Sequence, residues 1–203
     1  PTMDVFAMDV ARFGNYCTPD FTRLRVIENY QRRFTISFPN EELPAARPLI
    51  TTPAYGLWKD QNAVFGAAYG LEHVNYFAAE GDELFETPTF RRSNAFAAIG
   101  AECRAVRNGV GINEIHNFGK YEVSGPGAEA WLDFILAGRM PKPGRLSLSP
   151  MLSAKGMLIG DLSVARIAPQ RFQITGSSVS QGVHMRWFNE HLPENGVEIR
   201  NVS

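Results

Sequence analysis

The hydrophobic and polar positions change their spacing several times along the chain, and each change predicts an element. Phe21, Leu24, Ile27, Tyr30 and Phe34 recur at helical spacing behind Thr18, an N-cap residue followed by Pro19 and Asp20. Glu28 and Arg32 stand four apart on that helix as a favourable pair. Residues 39–53 are rich in proline and turn formers and read as a connector, with a short helix after Pro53 through Tyr55 and Trp58. An aromatic-rich stretch follows, from Phe65 through Tyr69 to Tyr76 and Phe77. The aromatics clustered from Tyr55 to Phe77 read as a surface between two domains, with plain core packing as the alternative. A helix is predicted over 90–107, with Phe96, Ile99, Cys103 and Val106 as its buried stripe and Asn108-Gly109 as its stop.

From residue 117 the pattern becomes mixed. Residues 120–124 read as a strand, and a helix starting at Pro126 carries Ala128, Trp131, Leu132, Ile135 and Leu136 on one face before Gly138 ends it. Leu146 and Leu148 alternate in a strand reaching 151–152, where Pro150 implies an edge or a bulge. Residues 153–156 form a turn into a long strand over 157–167, and 171–175 form another. Ser177 is expected to cap a helix carrying Val179, Val183, Trp187 and Phe188, and a turn at 193–196 leads to a last strand over 197–199. The order β-α-β-β-β-α-β predicts an α+β fold, a mostly antiparallel sheet with packed helices, preceded by a mainly helical connector. The chain is divided at 1–88 and 89–203.

Composition narrows the function classes. The 203 residues are 44% hydrophobic and 20% charged with a formal charge of −1. That mixed balance gives no reason to expect nucleic acid or a membrane as partner. No apolar run reaches membrane-spanning length and no leader pattern is visible, and a cytoplasmic location is expected. Pro1 preceding Met3 makes the chain read as a segment of a longer one. Cys17 and Cys103 read as reduced thiols, Cys103 within the core. His184 and His191 lie two helical turns apart, too far for one ion, and no metal is expected. The glycines at 109 and 111 read as a helix-ending turn rather than a dinucleotide fingerprint.

One residue does not fit its strand. Alternation places Met157, Ile159, Asp161, Ser163, Ala165 and Ile167 on one face and Leu158, Gly160, Leu162, Val164 and Arg166 on the other. Both faces are largely apolar, the signature of a central strand covered on both sides. A carboxylate in the middle of it would be buried, costing several kcal/mol unless paired or hydrogen-bonded. Asp161 is therefore a site residue or a structural network member bonded to nearby backbone N–H groups, unless this part of the strand is an end that faces solvent. Gly160 beside it would admit another backbone or a flat ligand.

The stretches FGKYEVSGPGAEAWLD at 118–133 and MLSAKGMLIGDLSVAR at 151–166, with ECRAVR at 102–107 and GVGI at 109–112, carry a family resemblance. They resemble the folate-binding domain shared by the aminomethyltransferase (T protein) of the glycine cleavage system and the C-terminal half of dimethylglycine and sarcosine dehydrogenases. The stretches at 1–4, 11–14, 25–30, 47–55 and 66–77 resemble the segment linking the FAD-dependent amine-oxidising domain to the folate domain, and Thr175-Gly176 also follows the dehydrogenase branch. The chain departs from the family in reading Gly156-Met157 at a usual Gly-Gly turn, and Gly160 where T proteins carry a second Asp.

The resemblance implies a connector over 1–88 and the N-terminal part of the folate-binding domain over 89–203. It implies an N-methyl amine dehydrogenase that uses FAD in another domain of the same polypeptide and passes a one-carbon unit to tetrahydrofolate. Its partners would be tetrahydrofolate and a small N-methyl amine. Asp161 would be the catalytic carboxylate, and Ser163 and Thr175 would line the pocket. A stand-alone aminomethyltransferase or folate-dependent demethylase, and a non-catalytic folate-binding module, are the alternatives.

Overall fold

A computed structural model of the chain describes residues 8–39 and 41–203. The lead-in stretch at 1–4 lies outside the described residues. Two compact units separate by their internal contacts: Gly14–His116, and Asn117–Ser203 together with residues 8–13.

In the first unit, α1 (Pro19–Gln31) starts as the sequence predicts, with the Thr18 hydroxyl accepting the Phe21 N–H at 3.2 Å and proline in the first turn. Its apolar stripe is not buried: no α1 residue lies in the core, and Phe34 falls beyond the helix. Glu28 and Arg32 do not pair. Glu28 instead takes the Ala45 N–H at 3.2 Å and faces Arg25, while Arg32 reaches Glu41. A connector side chain thus takes Arg32, while Glu28 is shared between Arg25 on its own helix and the connector backbone. The short helix α2 (Tyr55–Lys59) lies where expected.

The aromatic-rich stretch is an antiparallel hairpin of β1 (Ala63–Ala68) and β2 (Leu71–Phe77). Against it packs α3 (Ala95–Asn108). That helix begins later than predicted because the Asn94 side chain is engaged with Thr87 N–H and Phe85 C=O, pinning the chain ahead of it. The predicted stripe faces the wrong way. Phe96, Ile99, Cys103 and Val106 are exposed, whereas Ala95 and Ala98 pack inward and Glu102 accepts the Phe77 N–H at 2.7 Å. Small residues on the inner face let the helix approach β2 closely.

The second unit follows the predicted order element for element: β3 (Gly119–Ser124), α4 (Ala128–Ile135), β4 (Leu146–Leu152), β5 (Leu158–Ala168), β6 (Arg171–Gly176), α5 (Gln181–Glu190) and β7 (Glu198–Asn201). The strands form one antiparallel sheet in the order β4-β5-β6-β3-β7. Pro150 sits on edge strand β4, where a missing N–H costs no ladder bond. The hairpin turn places Gly156 at φ 74°, a left-handed conformation that glycine adopts without strain.

Tyr121, Val123, Leu162, Val164, Phe172 and Ile174 from the sheet meet Trp131, Leu132, Ile135 and Phe188 from α4 and α5 in a single core cluster. On β4 the leucines point the other way. Leu146 and Leu148 are exposed and Ser149 is buried, because its hydroxyl accepts the Gly138 N–H at 2.8 Å. Ser177 does not cap α5. Its carbonyl takes the Ser180 N–H in a 3-10 turn that delays the helix to Gln181, and Val179 stays exposed.

Candidate functional site

The two helices cover one face of the five-stranded sheet, and the opposite face of β5 and β6 carries the site. In the antiparallel register Ser163 stands opposite Thr175, and Asp161 opposite Pro150. Directly opposed residues share a face, and alternation puts Asp161 on the same face as Ser163. The register thus gathers Asp161, Ser163 and Thr175 in one place. With Asn117, Phe118, Gly176, Ser177 and Ser178 they line a concavity of about 380 Å³.

The burial expected for Asp161 is not found, for the residue is exposed. Among the described residues, α4 and α5 cover the Leu162–Val164 face. Met157 and Ile167, which made the other face read as apolar, lie toward the two ends of the stretch and are 68% and 50% exposed. An exposed carboxylate keeps its contact with water, so the burial cost does not arise for Asp161 here.

Gly160 serves the core rather than a ligand. A Cβ there would lie 3.0 Å from His184 Nε2 and 3.3 Å from Met151 Cε, and one at Gly176 would lie 2.9 Å from His184 Cε1 and 2.5 Å from Leu162 Cδ2. The absence of side chains at these two positions makes room for the His184 ring beneath the strands that bear the site. His184 is 1% exposed and shares a hydrogen bond of 2.9 Å with the Tyr121 hydroxyl through Nδ1. Burial pushes its pKa below the ordinary imidazole value, so the ring is held neutral.

The concavity combines a carboxylate, three serine hydroxyls and one threonine hydroxyl, a carboxamide and an aromatic ring. Such a lining can accept hydrogen bonds from a donor-rich edge, favour positive charge beside Asp161, and give a flat ring a surface to lie on. Its volume falls at the lower end of the range for small-molecule pockets, roughly 300–1,000 Å³. Among the described residues no group of three or more His, Cys, Asp or Glu side chains could hold a metal ion, and no helix is long and apolar enough to cross a membrane.

Sequence reasoning missed Asn117, Phe118, Ser177 and Ser178 as lining residues. The signal was in the pairing of strand ends. Gly119 stands opposite Gly176, so the residues just before β3 and just after β6 meet at the same end of the sheet.

Comparison with known proteins gives the family. The model described as the GCVT N-terminal domain matches residues 54–203, and that described as the FAD dependent oxidoreductase central domain matches residues 1–52. The mitochondrial dimethylglycine dehydrogenase of Rattus norvegicus is 31% identical over 207 residues, covering 100% of this chain and 24% of the rat protein. The mitochondrial pyruvate dehydrogenase phosphatase regulatory subunit of Mus musculus is 27% identical over 202 residues, covering 96% and 23%. This chain thus spans about a quarter of the length of these curated relatives. The glycine cleavage system aminomethyltransferase T of Bartonella henselae shares the fold at a TM-score of 0.55 and 17% identity, over 75% of this chain and 38% of that one. The β-α-β-β-β-α-β unit and the stretch leading into it therefore belong to the GCVT N-terminal domain family, in the arrangement of dimethylglycine and sarcosine dehydrogenase-type proteins.

Proposed function

We propose that this segment belongs to an FAD-dependent N-methyl amine dehydrogenase and is the part that binds tetrahydrofolate and captures the one-carbon unit. The observation that carries the reading is the meeting of Asp161, Ser163 and Thr175 in one concavity of a GCVT-family chain. In this reading residues 1–88 connect an FAD domain of the same polypeptide to the folate-binding part over 89–203, and the rat relative's mitochondrial designation supports a matrix location in a eukaryote.

The lining suits a reduced pterin, whose ring edge is rich in N–H donors and whose face is flat. Asp161 is the natural acceptor for those donors, Phe118 offers a ring against the flat face, and the Ser163 and Thr175 hydroxyls donate or accept at its margin. When bound, tetrahydrofolate supplies the nucleophilic nitrogens that take up the one-carbon unit as 5,10-methylenetetrahydrofolate. In this reading the Asp161 carboxylate stabilises positive charge on the iminium group left by amine oxidation and accepts the proton released as one folate nitrogen adds to its carbon. The original carbon–nitrogen bond breaks as the second folate nitrogen adds, and the demethylated amine leaves carrying a proton. An occupant that displaces water from the concavity strengthens both effects, since the same charge acts through a lower dielectric.

The test is product partition in the full-length protein fed an N-methyl amine and tetrahydrofolate. Asp161→Ala is expected to lower methylenetetrahydrofolate formed per amine oxidised at least tenfold, with free formaldehyde rising in its place. An unchanged partition would refute the role of Asp161.

Two other readings compete. A stand-alone aminomethyltransferase is disfavoured by the match of residues 1–52 to an oxidoreductase central domain. A non-catalytic folate-binding module finds support in the regulatory-subunit designation of the murine relative. It predicts folate binding without any methylenetetrahydrofolate, which the same assay reads directly.

A further inference from the structure

The outer face of the sheet carries a cation that the site as described does not use. Lys120 stands opposite Thr175 in the β3–β6 register, and Thr175 stands opposite Ser163 in the β5–β6 register. The three residues therefore form one row across the face, with Asp161 two residues along β5 from the row's far end. At about 4.8 Å per strand and about 3.3 Å per residue, the Lys120 and Asp161 Cα atoms lie about 12 Å apart. Two opposite charges thus bracket two hydroxyl groups on the same surface.

The Lys120 ammonium also has a defined task. Its Nζ donates to the Phe118 carbonyl at 2.9 Å, and Phe118, with Asn117 before it, lines the concavity. The Lys120 backbone is fixed as well, its N–H bonded to the Ser203 hydroxyl at 2.8 Å and its carbonyl to the Val202 N–H at 2.9 Å. Partial burial pushes the Lys120 pKa below the ordinary lysine value, so the ammonium is less hydrated than a surface one and interacts more strongly with nearby groups. The buried residues of β3 are Gly119, Tyr121 and Val123, on the face opposite Lys120.

We infer that Lys120 is a positioning and specificity residue of the concavity: it fixes the main chain at Phe118 and supplies the positive pole that sets which way a dipolar flat ligand lies against Asp161. A ligand with hydrogen-bond donors at one edge and carbonyl or carboxylate oxygens at the other is held donor-first toward Asp161. Its acceptor end then lies toward Lys120. A ligand lacking the acceptor end loses this preference. The inference rests on the folate reading above, since tetrahydrofolate has both kinds of edge.

The experiment measures tetrahydrofolate binding to the full-length protein and the steady-state KM and kcat for its conversion, in the unsubstituted chain and in Lys120→Met, Lys120→Gln and Lys120→Arg. Lys120→Met keeps the apolar stem and removes the charge. It is expected to weaken binding about tenfold, or about 1.4 kcal/mol, and to raise KM for folate more than it lowers kcat. Lys120→Arg, which keeps charge and donor, should return affinity to within about twofold. Lys120→Gln, which can donate to the Phe118 carbonyl without charge, should remain weak. Wild-type affinity in Lys120→Met overturns the inference and leaves the folate reading standing. Wild-type affinity in Lys120→Gln overturns the role of the charge. Failure of the unsubstituted protein to bind tetrahydrofolate overturns the folate reading and this inference with it.

Discussion

Substituting Gly160 by alanine tests the packing beneath the site. The added Cβ would sit 3.0 Å from His184 Nε2 and 3.3 Å from both His184 Cδ2 and Met151 Cε. Met151 can yield, since its methyl is the far end of a flexible chain. His184 cannot easily yield, for its ring is 1% exposed and tied through Nδ1 to Tyr121 at 2.9 Å. Overpacking of this kind costs about 1–3 kcal/mol, and replacing glycine returns about 0.4–1 kcal/mol by restricting the unfolded chain. The expected net loss is about 1 kcal/mol. In a His184→Ala background the same methyl enters vacated space, and the cost should vanish or change sign, a coupling of at least about 1 kcal/mol. The assay is amide hydrogen exchange of the β5 and β6 strands in the full-length protein, which reads local opening even where a multidomain chain does not unfold in one step. Equal penalties from Gly160→Ala with and without His184 would refute the claim that the imidazole sets the space at this position.

Two further expectations follow from buried charge. Arg47 grips Glu72 bidentately at 2.8 and 2.6 Å, and the Glu72 side chain is 2% exposed. Arg47→Met should destabilise the hairpin unit by about 3–5 kcal/mol by stranding that carboxylate, and Arg47→Met with Glu72→Leu should recover most of the loss; hydrogen exchange in β2 decides. The lowered pKa of His184 means that the unfolded chain binds more protons than the folded one in the window just below the ordinary value of 6.5. Stability from this group is therefore complete above that value and declines as pH falls toward the lowered one, and His184→Gln should remove that acid-side slope from a pH series of β5 and β6 exchange rates.

The second unit was legible in the sequence almost element by element because its signals are local. The stripe of α4 from Ala128 to Ile135, the proline of edge strand β4 and the turn at Gly156 each depend on neighbours a few residues away. Side-chain direction was less legible wherever a distant polar group decided it. Ser149 turns inward to meet the Gly138 N–H. Glu102 turns inward to meet Phe77 across 25 residues and carries the apolar stripe of α3 outward with it. Asp161 illustrates both outcomes. Alternation identified it as a carboxylate out of place among apolar neighbours, but mistook a sheet covered on one face for one covered on both. The companions Asn117, Phe118, Ser177 and Ser178 could emerge only from the pairing of β3 with β6, which no single stretch of chain discloses.

That pairing also sets an order of events in making the protein. β4, β5 and β6 are joined by short connections, so this meander can close as soon as it has been synthesised. β3 precedes all of them in the chain yet lies between β6 and β7, so it leaves the ribosome with both edges open and waits for partners tens of residues further on. The mouth of the concavity, built from the residues that flank β3 and β6, is therefore among the last parts of the unit to form. Slowing the arrival of β6 leaves β3, with the buried-to-be Tyr121 and Val123, open to pairing with other chains.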